Sequence, residues 1–215
     1  RWEAEGPQTS ITIADGFWLF DTPVTQALYE AVVGSNPSRF RSPDRPVEMV
    51  SWIDAHTFLD RLNEALPSLD LSLPSEAQWE YGARAGTTDA TYAGALEILS
   101  DRNAPILDEV AWYGGNSGHE YDLDDGFDSS DWQEKQYSHS KAGMRKVKQK
   151  RPNAWGLYDT LGNVFEWCQD VWADSHKDAS SAGAPRSDIG VRDRVIRGGS
   201  WSSLARYCRA ACRYR

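Results

Sequence analysis

Residues 114–153, GGNSGHEYDLDDGFDSSDWQEKQYSHSKAGMRKVKQKRPN, follow neither the alternation of a strand nor the 3.6-residue recurrence of a helix. A stretch of that length is too long for a simple connector, and it is expected to be functional or mobile. It limits the chain to short helices and short strands held between long loops. With 215 residues the chain can bury a real core, and it fits one large domain, 1–215, with 114–153 as a loop insertion. Within the insertion, YDLDDGFDSSD gathers Asp122, Asp124, Asp125 and Asp128 without the ordered ligand register of an EF-hand, so it reads as a solvated acidic loop. The following KAGMRKVKQKR is basic, and the two runs are expected to pair across the surface.

The N-terminal half carries clearer signals. ITIADGFWLF alternates apolar and polar residues and predicts a strand over 11–20. PVTQALYEAVVG predicts a helix that Pro23 enters, Thr25 caps and Gly34 closes. In SWIDAHTFLDRLNEALP, Trp52, Ala55, Phe58, Leu59 and Leu62 recur at helical spacing, with Ser51 as cap and Pro67 as stop. LSLPSEAQWEYGARAG reads as a short strand, a turn at Pro74, and a helix opened by a Ser75/Gln78 capping box and weakened inside by Gly82.

Charge and cysteine usage exclude several classes. A formal charge of -9 argues against nucleic acid as partner, because phosphate binding needs a basic footprint. No apolar run is long enough to insert into a membrane, and no signal-like start is present, although a first residue of Arg1 rather than Met leaves room for a removed upstream segment. Cys168, Cys208 and Cys212 are an odd set in a large domain, unlike a disulfide framework. A reducing compartment, the cytoplasm by default, is the expectation, with cell surface or virion as alternatives. The histidines, His56, His119, His139 and His176, stand singly, so zinc is not indicated. Ten tryptophans and nine tyrosines suit a half-packed, half-wet binding face, though most are expected in the core.

The order of six motifs carries a resemblance: FWLFDTPVTQALYEAVVGSNPSRF, RPVEMVSWIDAHTFLDRLN, LPSEAQWEYGARAG, YGGNSG, RPNAWGLYDTLGNVFEWCQDVW and the terminal RVIRGGSW with its CRAACRYR. From about Ile11 to Arg215 the chain resembles the formylglycine-generating, or sulfatase-modifying-factor, family. That resemblance implies an irregular α+β domain related to C-type lectins. The family's founding activity is copper-assisted oxidation of a substrate cysteine by two cysteines five residues apart in the terminal segment. The second matches Cys208, but the first falls on Ser203. A hydroxyl cannot replace a thiolate that must hold soft Cu(I), so copper is not expected and Cys208 is a residual position that reads as a buried small hydrophobe. The resemblance also implies a calcium site built from Asp159, Gly162, Val164 and Glu166, oxygen donors that suit Ca²⁺.

The terminal 194–215 is similar, further, to the variable region of diversity-generating retroelement proteins, some of which carry this same lectin-type domain. The resemblance implies a fixed frame of Gly-Gly-Ser-Trp and arginines around variable positions, here Ser202, Ser203, Leu204, Tyr207, Cys212 and Tyr214, that contact a protein or other macromolecular target. Arg197, Arg206, Arg209, Arg213 and Arg215 are expected to pair with internal carboxylates or stack on tryptophans. The function that follows is a non-catalytic ligand-binding scaffold. The alternatives are a formylglycine-generating oxidase and an accessory domain of a larger signalling protein.

Overall fold

Local capping rules place the first helices. The computed structural model describes residues 3–177, 179–188 and 190–215. Helix α1, Gln26–Val33, starts where Thr25 accepts from the Leu28 N–H and ends at Gly34 in the left-handed region. Helix α2, Trp52–Ala65, and helix α3, Glu76–Arg84, each open on a reciprocal capping box, Ser51 with Asp54 and Ser75 with Gln78. A short α4, Pro105–Val110, has proline in its first turn, where a missing N–H costs nothing. None of these helices is long and apolar enough to cross a membrane, a statement that covers the described residues.

Two small antiparallel sheets complete the α+β fold. Strands β1, Phe127–Asp128, and β2, Lys141–Ala142, form a ribbon inside the long polar stretch. Strands β3, Glu166–Val171, β4, Arg194–Arg197, and β5, Arg213–Tyr214, form the second sheet with β4 in the centre. One core cluster joins Tyr29 and Val47 to Phe58, Leu59 and Leu62 of α2, and another packs Trp79 and Ala83 of α3 on Cys168 and Val195 of the sheet. The indole N–H groups of Trp52 and Trp167 tie α2 to β3, donating to the carbonyls of Cys168 and Val50 at 3.0 and 3.2 Å.

Three sequence expectations are corrected. Residues 11–20 and 71–73 belong to no strand. Their backbone groups find other partners: Thr12 N–H donates to the Ser181 carbonyl, and the Asn63 side-chain amide clamps both N–H and C=O of Leu71. Within the 114–153 stretch, residues 114–118 and 142–145 are buried. Its acidic and basic runs do not neutralise each other through side-chain ion pairs. Asp122 meets the fully buried Arg45, while Lys148, Lys150 and Arg151 pair with Asp21, Asp108 and Glu109.

Candidate functional site

The terminal segment leaves β4, turns at Gly198–Gly199, passes through a 3₁₀ turn, Ala205–Tyr207, and returns as β5. Its arginines are anchors. Arg197 meets Glu80 and Glu76, Arg209 meets Glu5, and Arg213 grips Glu76 with two bonds of 2.7 and 2.6 Å while lying over Trp172. Arg206 and Arg215 reach Asp101 and Asp193 nearer the surface. These pairings are those expected of arginine in an acidic chain, and they fix both ends of the turn between them.

Ser203 closes a turn. Its Oγ accepts the Ser200 N–H at 2.9 Å, its N–H donates to the Ser200 carbonyl at 3.0 Å, and its carbonyl accepts from Gly114 N–H at 2.9 Å. Cys208 lies wholly inside the cluster of Ala104, Leu107, Val110, Ala111, Tyr113, Leu161 and Ala205, where burial, then the neighbouring Cys212, pushes its thiol up. Cys168, Cys208 and Cys212 are free thiols, and burial pushes Cys212 up to about 11. A thiol held protonated in an apolar cluster is a poor nucleophile and a poor metal ligand.

The sequence-derived display positions therefore divide. Ser202 is exposed, and Leu204, Tyr207 and Tyr214 are half-buried, with the Tyr207 and Tyr214 rings meeting edge to face at 5.3 Å. Ser203 and Cys212, at 8% and 4% exposure, face inward, the first as turn closure and the second on the floor of the arginine network. Burial leaves these two almost no area for contact with a target.

Beside Ser202 lies an aromatic face that sequence reasoning missed. The Trp201 ring packs edge to face on Phe40 at 5.3 Å, stacks with Trp132 at 6.0 Å, and meets Phe127 at 5.9 Å. Arg102 lies 5.0 Å over Trp132, and Arg39 lies 5.3 Å from Phe40 and 5.8 Å from Phe127. Behind them His139, its Nδ1 joined to Ser129 Oγ at 2.8 Å, is held neutral as burial and then Lys135 lower it to about 4. A signal existed: Phe127 and Trp132 sit in a polar stretch with no apolar periodicity to join, so no amphipathic stripe accounts for them.

The calcium candidates surround a knot under this face. Asp159, in the left-handed region, accepts from Lys148 N–H at 2.8 Å and from the Asn163 amide at 3.2 Å. Gly162 N–H donates to the Gly198 carbonyl and Asn163 N–H to the Trp112 carbonyl, at 2.8 and 2.7 Å. The Gly162 carbonyl accepts from Val164 N–H, so Val164 belongs to the same turn. Burial raises Asp159 to about 6 against those hydrogen bonds. Burial raises Glu166 to about 8, a bond from Trp79 opposing and the Asp159 charge adding, and Glu166 Oε1 is buried with no partner. Two neighbouring carboxyls with one orphaned oxygen, beside main-chain carbonyls, fit a hard cation in donor chemistry.

Those raised values set a pH dependence with a definite sign. Both folded-state values exceed the unfolded ones, so the stability linked to these groups is full below about pH 4 and is lost as pH rises through 6 and 8. In chelator, the thermal midpoint is expected to fall between pH 5 and 8, and Glu166→Gln to flatten the upper part of that fall. A slope unchanged in the variant would remove Glu166 as its source.

Comparison with known proteins agrees with this architecture. The model of the sulfatase-modifying factor enzyme 1-like domain matches residues 2–215. The chaperone protein LppX of Paenibacillus barcinonensis is 30% identical over 228 residues, covering 90% of this chain and 72% of its own length. The formylglycine-generating enzyme of Thermomonospora curvata is 31% identical over 205 residues, covering 94% of this chain, which spans only 59% of that enzyme. Among solved structures, Treponema denticola variable protein 1 superposes with a TM-score of 0.66 at 30% identity, over 90% of this chain and 76% of that one. With the motifs in order, the arginine-anchored terminal turn in place and the match running through to Arg215, the chain belongs to the sulfatase-modifying factor enzyme 1-like family.

Proposed function

We propose that the protein is a non-catalytic binding scaffold, a single lectin-like domain of the kind found in variable proteins of diversity-generating retroelements. The observation that carries this reading is the fate of the catalytic pair. Ser203 stands where the oxidase needs a thiolate and is committed to a turn, and Cys208 is sealed in an apolar cluster. What the terminal segment presents instead is Ser202, Leu204, Tyr207 and Tyr214, together with Trp201, which stacks with Trp132. Tyrosine and tryptophan supply large contact areas at low entropic cost, which suits a surface that binds a protein or other macromolecular target. The likeness in sequence and structure to the Treponema denticola variable protein supports the same reading. We propose in addition that Asp159, Glu166 and the carbonyls of Gly162 and Val164 hold Ca²⁺ as a structural ion; its charge would offset the paired carboxyls and stiffen the knot beneath the binding face.

The deciding experiment is an aerobic assay of the copper-loaded protein on a Cys-x-Pro-x-Arg peptide, read by mass spectrometry for conversion of cysteine to formylglycine. No conversion by the folded protein is expected. Turnover that disappears in Cys208→Ala would establish an oxidase and end the scaffold reading.

A further inference from the structure

The turn that carries two rings of the aromatic face is acidic on its outside, while Arg39 and Arg102 lie against the rings. Phe127 and Trp132 rise from a turn whose Asp124, Asp125, Asp128, Asp131 and Glu134 are all exposed. Among the described residues none of these carboxylates takes part in an ion pair. The nearby lysines do not cancel them side chain to side chain: Lys135 directs its ammonium at the carbonyls of Ser129 and His139, and Lys141 at the carbonyl of Asp124. Arg39 and Arg102 stand against the rings themselves, which demonstrates that these faces accept a guanidinium.

Ring faces carry negative quadrupole potential, and unpaired carboxylates around them act in the same sense. Both attract cations, and both repel phosphate. We infer that the face formed by Phe127, Trp132 and Trp201 docks a basic segment of a protein partner, with lysine or arginine side chains against the rings and inside the carboxylate border. The inference rests on the binding role proposed above and adds the chemistry of its target. The border sets the sign of charge that any partner must present.

The test is selection from a random dodecapeptide display library on three folded proteins: wild type, D124N/D125N/D128N/D131N/E134Q, and W132A. The wild type is expected to enrich peptides in which Lys and Arg outnumber Asp and Glu. A synthetic copy of an enriched peptide is expected to weaken about tenfold between 50 and 500 mM salt and about tenfold in the neutralised variant. Because the replaced carboxylates are exposed, matching thermal midpoints are expected to show that this variant folds. Enrichment of neutral or acidic peptides that still depends on Trp132 overturns the basic-partner inference and leaves the binding role standing. Enrichment that survives W132A, or none at all, overturns the binding role of this face and the inference with it.

Discussion

Gly162→Ala is expected to destabilise the protein by about 4 kcal/mol or more, beyond the range of ordinary substitutions. Gly162 has φ 75, and a Cβ there would stand 2.2 Å from the Trp112 carbonyl oxygen and 2.9 Å from its carbon. That carbonyl cannot retreat cheaply, because it accepts the Asn163 N–H at 2.7 Å and because Trp112 and Gly162 form a parallel bridge. Displacing it pulls apart the knot that joins the Gly198 turn, the Asn163 amide and the Arg145 backbone. A control separates the clash from the dihedral. Gly156 has φ 82 but meets nothing within 4 Å, so Gly156→Ala carries only the left-handed penalty of about 1 to 2 kcal/mol. Urea unfolding of both variants, followed by tryptophan fluorescence, measures the difference. Equal losses would mean that close approach to Trp112 is not what position 162 requires.

The Gly-Asn turn was legible as a motif, but its neighbours were not. Helices α1, α2 and α3 could be placed because their caps lie within three or four residues of what they cap: Thr25 bonds Leu28, Ser51 bonds Asp54, Ser75 bonds Gln78. Helix α4 escaped because Pro105–Val110 is too short to express a period. The 11–20 segment alternates as a strand should, yet pairing is decided by partners far along the chain, and Thr12 meets Ser181 instead of a strand. The site divides in the same way. The pairing of terminal arginines follows from charge alone, since an acidic chain offers carboxylates to a buried guanidinium. Which carboxylate serves depends on the fold: Arg209 finds Glu5 and Arg213 finds Glu76. Ser203 looks from sequence like any small open position, and only the turn that folds it back on Ser200 reveals a structural hydroxyl. The aromatic face depends on contact between residues 40, 127, 132 and 201, and no local pattern records it.

Arg197→Met is expected to cost about 3 to 5 kcal/mol, the usual consequence of breaking a buried ion network from one side. The Arg197 side chain is sealed from solvent, bonds Glu80, lies 3.4 Å from Glu76, and donates to the carbonyls of Ala210, Ala211 and Cys212 at 2.7, 3.2 and 2.9 Å. Although burial pushes the Glu80 carboxyl up, Arg197 and then Arg84 hold it below its ordinary value. Methionine fills much of the volume but leaves Glu80 with only Arg84 and strands carbonyls of the terminal segment without a donor. The same segment carries the positions proposed for target contact, and these should behave oppositely. Ser202→Tyr adds a ring at an exposed site and is expected to move the unfolding free energy by no more than about 0.5 kcal/mol. Thermal and urea unfolding of the two variants tests whether a fixed frame and a free surface coexist within 194–215. If Ser202→Tyr unfolds the protein as Arg197→Met does, the exposed residues belong to the frame, and a surface that changes partner without changing fold is not available to this chain.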